Sequence, residues 1–126
     1  MSKSARQSLR RNRTRKEGWY SVRALLRCTG KGQPRKVGLY EDRLFLVRAK
    51  SHDGAQRKAR RIVEEREEPY KNPYGNTVRW RLARVYESVE LFDTKLGDGT
   101  EVYWRFIRSS NPIKRLEREK TMNAPY

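Results

Sequence analysis

From Trp19 to Cys28 the chain alternates without a break. Tyr20, Val22, Ala24, Leu26 and Cys28 fall on one side, and Trp19, Ser21, Arg23, Leu25 and Arg27 on the other. A period of two places these sets on opposite faces of a strand. The fold must therefore contain a sheet with one apolar face and one wet, basic face, and the apolar face needs a cover. The chain has 126 residues, 35% hydrophobic and 37% charged. That length suits one domain, and that composition requires an economical core.

The rest of the sequence supplies the cover. "TGKGQPRKVG" is rich in Gly and Pro and reads as a loop, after which Arg43 to Ala49 predicts a second strand with Phe45, Val47 and Ala49 on one face. Ser51 is a good N-cap, with Asp53 in the first turn at the positive end of the helix dipole. Ala55, Ala59, Ile62, Val63 and Arg66 then form one helical stripe, and Pro69 stops the helix. Glu64, Glu65, Glu67 and Glu68 lie at the unfavourable end of the dipole, where local pairing with Arg60 and Arg61 offsets the cost.

"PYKNPYGN" is a turn cluster leading into a long strand, Val78 to Phe92, whose apolar parity changes midway. A single bulge near Ala83–Arg84 would bring Val78, Trp80 and Leu82 together with Val85, Val89 and Leu91 on the core side. "DTKLGDG" reads as a hairpin loop, and Thr100 to Arg108 as the fourth strand with Val102, Trp104 and Phe106 inward. The expected fold is α+β: a single four-stranded antiparallel sheet in β-β-α-β-β order with one main helix on one face. Residues 18–111 form the domain. Residues 1–17 form a basic tail expected to be disordered when free, and residues 112–126 a polar C-terminal tail or short helix.

The strings "WYSVRALL", "YEDRLFLVRAKSHDGAQRKA", "YKNPYGNTVRW" and "DGTEVYWRFI" together resemble a small bacterial family of domains of unknown function, DUF4288-like, over about residues 19–108. Gly54 departs from the family pattern, which favours an acid there, so the capping box is incomplete. The resemblance implies no activity and no catalytic residue.

The residues themselves carry no enzyme signature. Cys28 has inward parity and reads as a small buried hydrophobe, and His52 as a first-turn residue. Glu87, Glu90, Asp93 and Glu101 come from the two hairpin strands and could approach one another as in a metal-dependent hydrolase. Glu87 and Glu101 are better read as balancing strand arginines. No cofactor and no metal are expected: a single cysteine and a single histidine do not make a structural zinc site. That cysteine usage, the absence of any span-length apolar stretch and the lack of an apolar segment after the charged N-terminus all point to the cytoplasm.

The net charge of +16 points to a polyanionic partner. Residues 1–16 contribute +7 of it, with Arg6, Arg10, Arg11, Arg13, Arg15 and Lys16 on one arm, and residues 17–111 another +7. On the outward sheet face the expected strands gather Trp19, Arg23, Arg27, Arg79, Arg81, Tyr103 and Arg105, with Leu25 and Ile107 among them. Aromatic rings interleaved with arginines make a stacking platform for single-stranded nucleic acid. The same face could instead be a partner surface built on Trp19, Leu25 and Ile107, or a plain solvated face. The leading expectation is a non-enzymatic module contacting nucleic acid, RNA ahead of DNA, or a ribonucleoprotein. The alternative is an accessory or immunity-type factor that binds an acidic protein. Membrane attachment is not expected, because no bulky apolar anchor accompanies the charge.

Overall fold

The computed structural model describes residues 16–30 and 38–119. The expected disorder of the N-terminal arm therefore falls, but for residues 16 and 17, outside the described residues. In chain order the elements are β1 (Gly18–Gly30), β2 (Tyr40–Ala49), α1 (His52–Glu65), β3 (Tyr70–Lys71), β4 (Thr77–Glu90) and α2 (Pro112–Arg118). All neighbouring strands are antiparallel, in the order β2-β1-β4-β3. This is the α+β class with one four-stranded sheet, although the fourth strand is not the one the sequence suggests.

The inner face of β1 carries the predicted set. Tyr20, Val22, Ala24, Leu26 and Cys28 are buried with Val47 and Ala49 of β2 and Val78, Trp80 and Val85 of β4. Helix α1 covers them with Ala55, Ala59 and Val63. Small residues on the helix stripe allow close approach to the sheet, which is how a chain with few large apolar residues still fills its core. Ile62 is half-buried at the margin of this core rather than fully enclosed. The helix begins as expected: the Ser51 Oγ accepts from the Gly54 amide at 3.0 Å. Arg60 pairs with Glu64 at 3.9 Å, one turn on.

Two local devices fix the strand ends. Gly30 has φ of 142°, and a Cβ there would lie 2.4 Å from the Thr77 carbonyl oxygen, so only glycine lets β1 run on beside the start of β4. In the 70–77 hairpin the buried Asn72 accepts at Oδ1 from the Tyr74 and Asn76 amides, both at 3.0 Å, while Gly75 takes φ of 80°. The Trp80 indole N–H then donates to the Tyr70 hydroxyl at 2.7 Å.

β4 is where expectation and structure part. Its register against β1 shifts twice, between the partners of Arg23 and Ala24 and between those of Leu25 and Leu26. Ala83 and Tyr86 are the extra residues, so there are two bulges and not one. The first brings Val85 to the inner face opposite Ala24. The second reverses the parity again: Val89 pairs with Ser21 and lies on the face away from α1. Ser88 now points to the helix, where its hydroxyl meets His52 Nδ1 at 2.8 Å and accepts from Gln56 Nε2 at 3.0 Å. Glu67 repairs the ladder at the first bulge, accepting from the Leu82 amide at 2.7 Å.

The outward turn of Val89 and Leu91 leaves an apolar patch on the far face, and the chain covers it with its own continuation. Residues 101–108 form no strand. They cross the outer face, the Ser21 hydroxyl bonding to the Val102 carbonyl and the Trp104 indole donating to the Glu90 carbonyl at 3.4 Å. Ser21, Val89, Leu91 and Trp104 are all buried there, Ser21 to 1% exposure. The expected inward set is thus corrected: Trp104 is buried on the opposite side from α1, whereas Val102 and Phe106 are exposed. Helix α2 follows with Asn111 as its cap and no buried residue. Among the described residues no helix is long and apolar enough to cross a membrane.

Candidate functional site

The outer face is divided into a closed half and an open half. In the closed half Arg23 is the hub. Its guanidinium pairs with Asp42, with Glu87 at 3.4 Å, and donates to the Tyr103 hydroxyl at 3.2 Å. It also lies over the rings of Tyr86 and Tyr103, 5.2 and 5.5 Å from their centroids. The phenols complete the circuit, Tyr86 donating to Asp42 and Tyr103 to Glu87, each at 2.7 Å. The Asp42 hydrogen bond above all holds Arg23 firmly protonated. Burial, then the hydrogen bonds to Asp42 and Glu87, raises both phenols above their ordinary range.

Trp19 and Arg105 are engaged in the same half. The Trp19 indole donates to the Thr94 carbonyl at 3.2 Å, and Arg48 lies over its ring at 5.5 Å. Arg105 pairs with Glu119 at 3.0 Å, which also takes Arg115 at 3.5 Å and so ties α2 to the crossing segment; Arg105 keeps the Glu119 carboxyl below its usual range. A cleft of about 530 Å³ lies between Arg23, Leu44, Tyr103 and Arg105. The expected open platform is therefore corrected: Tyr103 and Arg105 sit on a crossing segment, not on a strand, and the face beneath is covered.

The other half is different. Arg27 and Arg81 are direct cross-strand partners, and Arg84 and Arg79 flank them on the same face opposite Leu25 and Thr29. Arg27, Arg81 and Arg84 are exposed. Among the described residues none of the four has an ion-pair partner, and the buried Arg79 Nε has no hydrogen-bond partner. Tyr40 borders the group, its exposed ring 5.8 Å from the Arg27 guanidinium. Sequence reasoning missed Arg84 and Tyr40. Arg84 reaches this face only because of the bulge at Ala83, and Tyr40 because β2 starts three residues earlier than its apolar pattern.

Arg6, Arg10, Arg11, Arg13 and Arg15 lie outside the described residues, and Lys16, the first described, is exposed. Residues 31–37, which join β1 to β2 and add Lys31, Arg35 and Lys36, lie outside as well. Cys28 is buried in the core as its parity predicts, and burial pushes its thiol up. Among the described residues no group of three or more His, Cys, Asp or Glu side chains is placed to hold a metal ion, so the four acids of the hairpin region do not assemble.

Neither the curated proteins nor the solved structures contain a match to this chain. The family described as domain of unknown function (DUF4288) matches residues 19–104, from Trp19 near the start of β1 to Trp104 on the outer face, and the chain belongs to that family.

Proposed function

We propose that this domain is a non-enzymatic binding module that holds nucleic acid, RNA ahead of DNA, on the arginine half of its outer face, with the basic N-terminal arm adding affinity. The observation that carries this reading is the Arg27–Arg81 pair. Like charges directly opposite across a sheet destabilise it. Here two further arginines sit beside them without an acid. A phosphate backbone laid along the group relieves that repulsion and releases condensed counterions. The exposed Tyr40 ring next to Arg27 offers a stacking surface for an unpaired base, which favours a single strand. In this reading Arg23, Tyr103 and Arg105 keep the closed half in place and Trp19 anchors the entry to β1.

A second reading, an acidic partner protein on the same arginines, is favoured by exposed Phe106, Ile113 and Leu116, apolar groups that a nucleic acid would leave uncovered. Fluorescence anisotropy with labelled single-stranded RNA, single-stranded DNA and duplex separates the two. The nucleic-acid reading expects binding that weakens linearly in log salt, with single strands preferred, and a purified protein whose high 260/280 absorbance ratio falls on nuclease treatment. No binding to any of the three at low salt contradicts it.

A further inference from the structure

We propose that a second copy of this chain docks edge to edge on β2, pairing antiparallel about a two-fold axis at Phe45 and extending the sheet across both molecules. β2 is a ten-residue edge strand, long for an edge and free of proline or bulge. The Cys28 amide donates to the Leu39 carbonyl, so odd residues of this segment turn their backbone groups towards β1. In an antiparallel ladder the even residues Tyr40, Asp42, Leu44, Leu46 and Arg48 then turn theirs to the open edge. Lys58 Nζ reaches the Arg48 carbonyl from that side at 3.0 Å, and the oxygen keeps a second lone pair for a strand partner.

The same even residues carry a self-complementary pattern on the outer face. With the axis at Phe45, Asp42 faces Arg48 of the second copy and Leu44 faces Leu46 of the second copy, each pair occurring twice by symmetry. These are hydrogen-bonding positions, so each pair also exchanges two backbone bonds. Leu44 and Leu46 are 44% and 38% exposed in the single chain, and Asp42 and Arg48 are exposed beside them. On the inner face Phe45 meets its own symmetry mate, and Arg66 already lies over that ring. Sliding the axis by one residue in either direction sets a leucine against a charge, at Asp42 or at Arg48. The charge pattern therefore selects the register as well as the partner. Asp42 keeps its bonds to Arg23 and Tyr86 and accepts the incoming guanidinium from its exposed side.

The test is the mass of the nuclease-treated full chain by light scattering after size exclusion, against 15.1 kDa for one copy. The proposal expects twice that mass, falling to one copy on dilution. Leu46→Pro removes only an outward amide and should give a folded monomer, its near-ultraviolet dichroism unchanged. A mixture of Leu44→Cys and Leu46→Cys chains should form the mixed disulfide at least tenfold faster than either chain with itself. A single-copy mass at every concentration overturns the proposal. So does a dimer that Leu46→Pro leaves intact, or cross-linking without preference for the mixed pair. If Leu46→Pro fails to fold, the cross-linking alone decides.

Discussion

Arg23 is the residue on which sequence and structure disagree most, and replacing it separates the two readings. Arg23→Met keeps the length of the side chain and removes the cation. The loss comprises the pairs with Asp42 and Glu87, the bond to Tyr103 and two ring contacts. Fully buried bonds to charged groups contribute roughly 1.5–3 kcal/mol each, and exposed ion pairs about 0.2–1. The Arg23 side chain is 27% exposed, and Asp42 and Glu87 keep their tyrosine donors, so neither acid is orphaned. The net cost is therefore about 1–3 kcal/mol, well below the sum of the contacts. Urea unfolding followed by tryptophan fluorescence should show a lower midpoint with an unchanged slope. RNA affinity of the folded variant and its salt dependence should stay at parent values. An unchanged midpoint together with a tenfold loss of RNA affinity would refute the reasoning, because Arg23 would then be a ligand group and not a tie between strands.

Three further outcomes follow from the same structure. Trp104→Ala should cost about 3–5 kcal/mol, as for a buried aromatic, while Phe106→Ala at the exposed end of the segment costs little; equal losses would mean that residues 101–108 pair as a strand after all. Gly30→Ala should cost about 1–3 kcal/mol or more, since its Cβ meets the Thr77 carbonyl at φ of 142°, whereas Gly97→Ala, with nothing within 4 Å, should be nearly neutral in the same melt. Tyr86 and Tyr103 have raised pKa values in the fold. Their contribution is thus intact below the ordinary phenol value of about 10 and is lost as the pH climbs through the folded values. Tyrosinate absorbance of the parent compared with the Tyr86→Phe/Tyr103→Phe double variant should show that the step these two phenols contribute comes above the ordinary phenol range; a step at the ordinary value in the folded state would dismiss the network.

The inner face was legible because periodicity reports it directly. Tyr20 to Cys28, the Ala55–Ala59–Val63 stripe and the Ser51 cap each follow from spacing and side-chain type alone. The outer face was not. One bulge suffices to reconcile Leu82 with Val85, and nothing in the residue pattern distinguishes one register shift from two. The second shift is visible only when Val89 is seen opposite Ser21. From that follow the apolar patch away from α1, the need for Trp104 to cover it, and the loss of the fourth strand. Val102 and Phe106 alternate correctly for a strand, yet alternation cannot say that a neighbouring edge is available. The short strand Tyr70–Lys71 takes the place beside β4 instead, held by Asn72 and the Tyr70–Trp80 bond. Arg84 joined the basic group because the bulge at Ala83 re-aims it, whereas Arg23 keeps its expected face and is taken up by Asp42, Glu87 and the two tyrosines, partners that a period of two does not reveal.

The central claim is that the four arginines on the open half bind a polyanion and the closed half does not. The most direct measurement is the salt dependence of single-stranded RNA binding for the double variant Arg27→Ala/Arg81→Ala, in the full chain and in a chain lacking residues 1–16. Both backgrounds should lose slope, by about 0.7 log units for each phosphate contact removed. Thermal stability should hold or rise, because the cross-strand repulsion is gone. A double variant that binds with parental affinity and slope in both backgrounds would contradict the account.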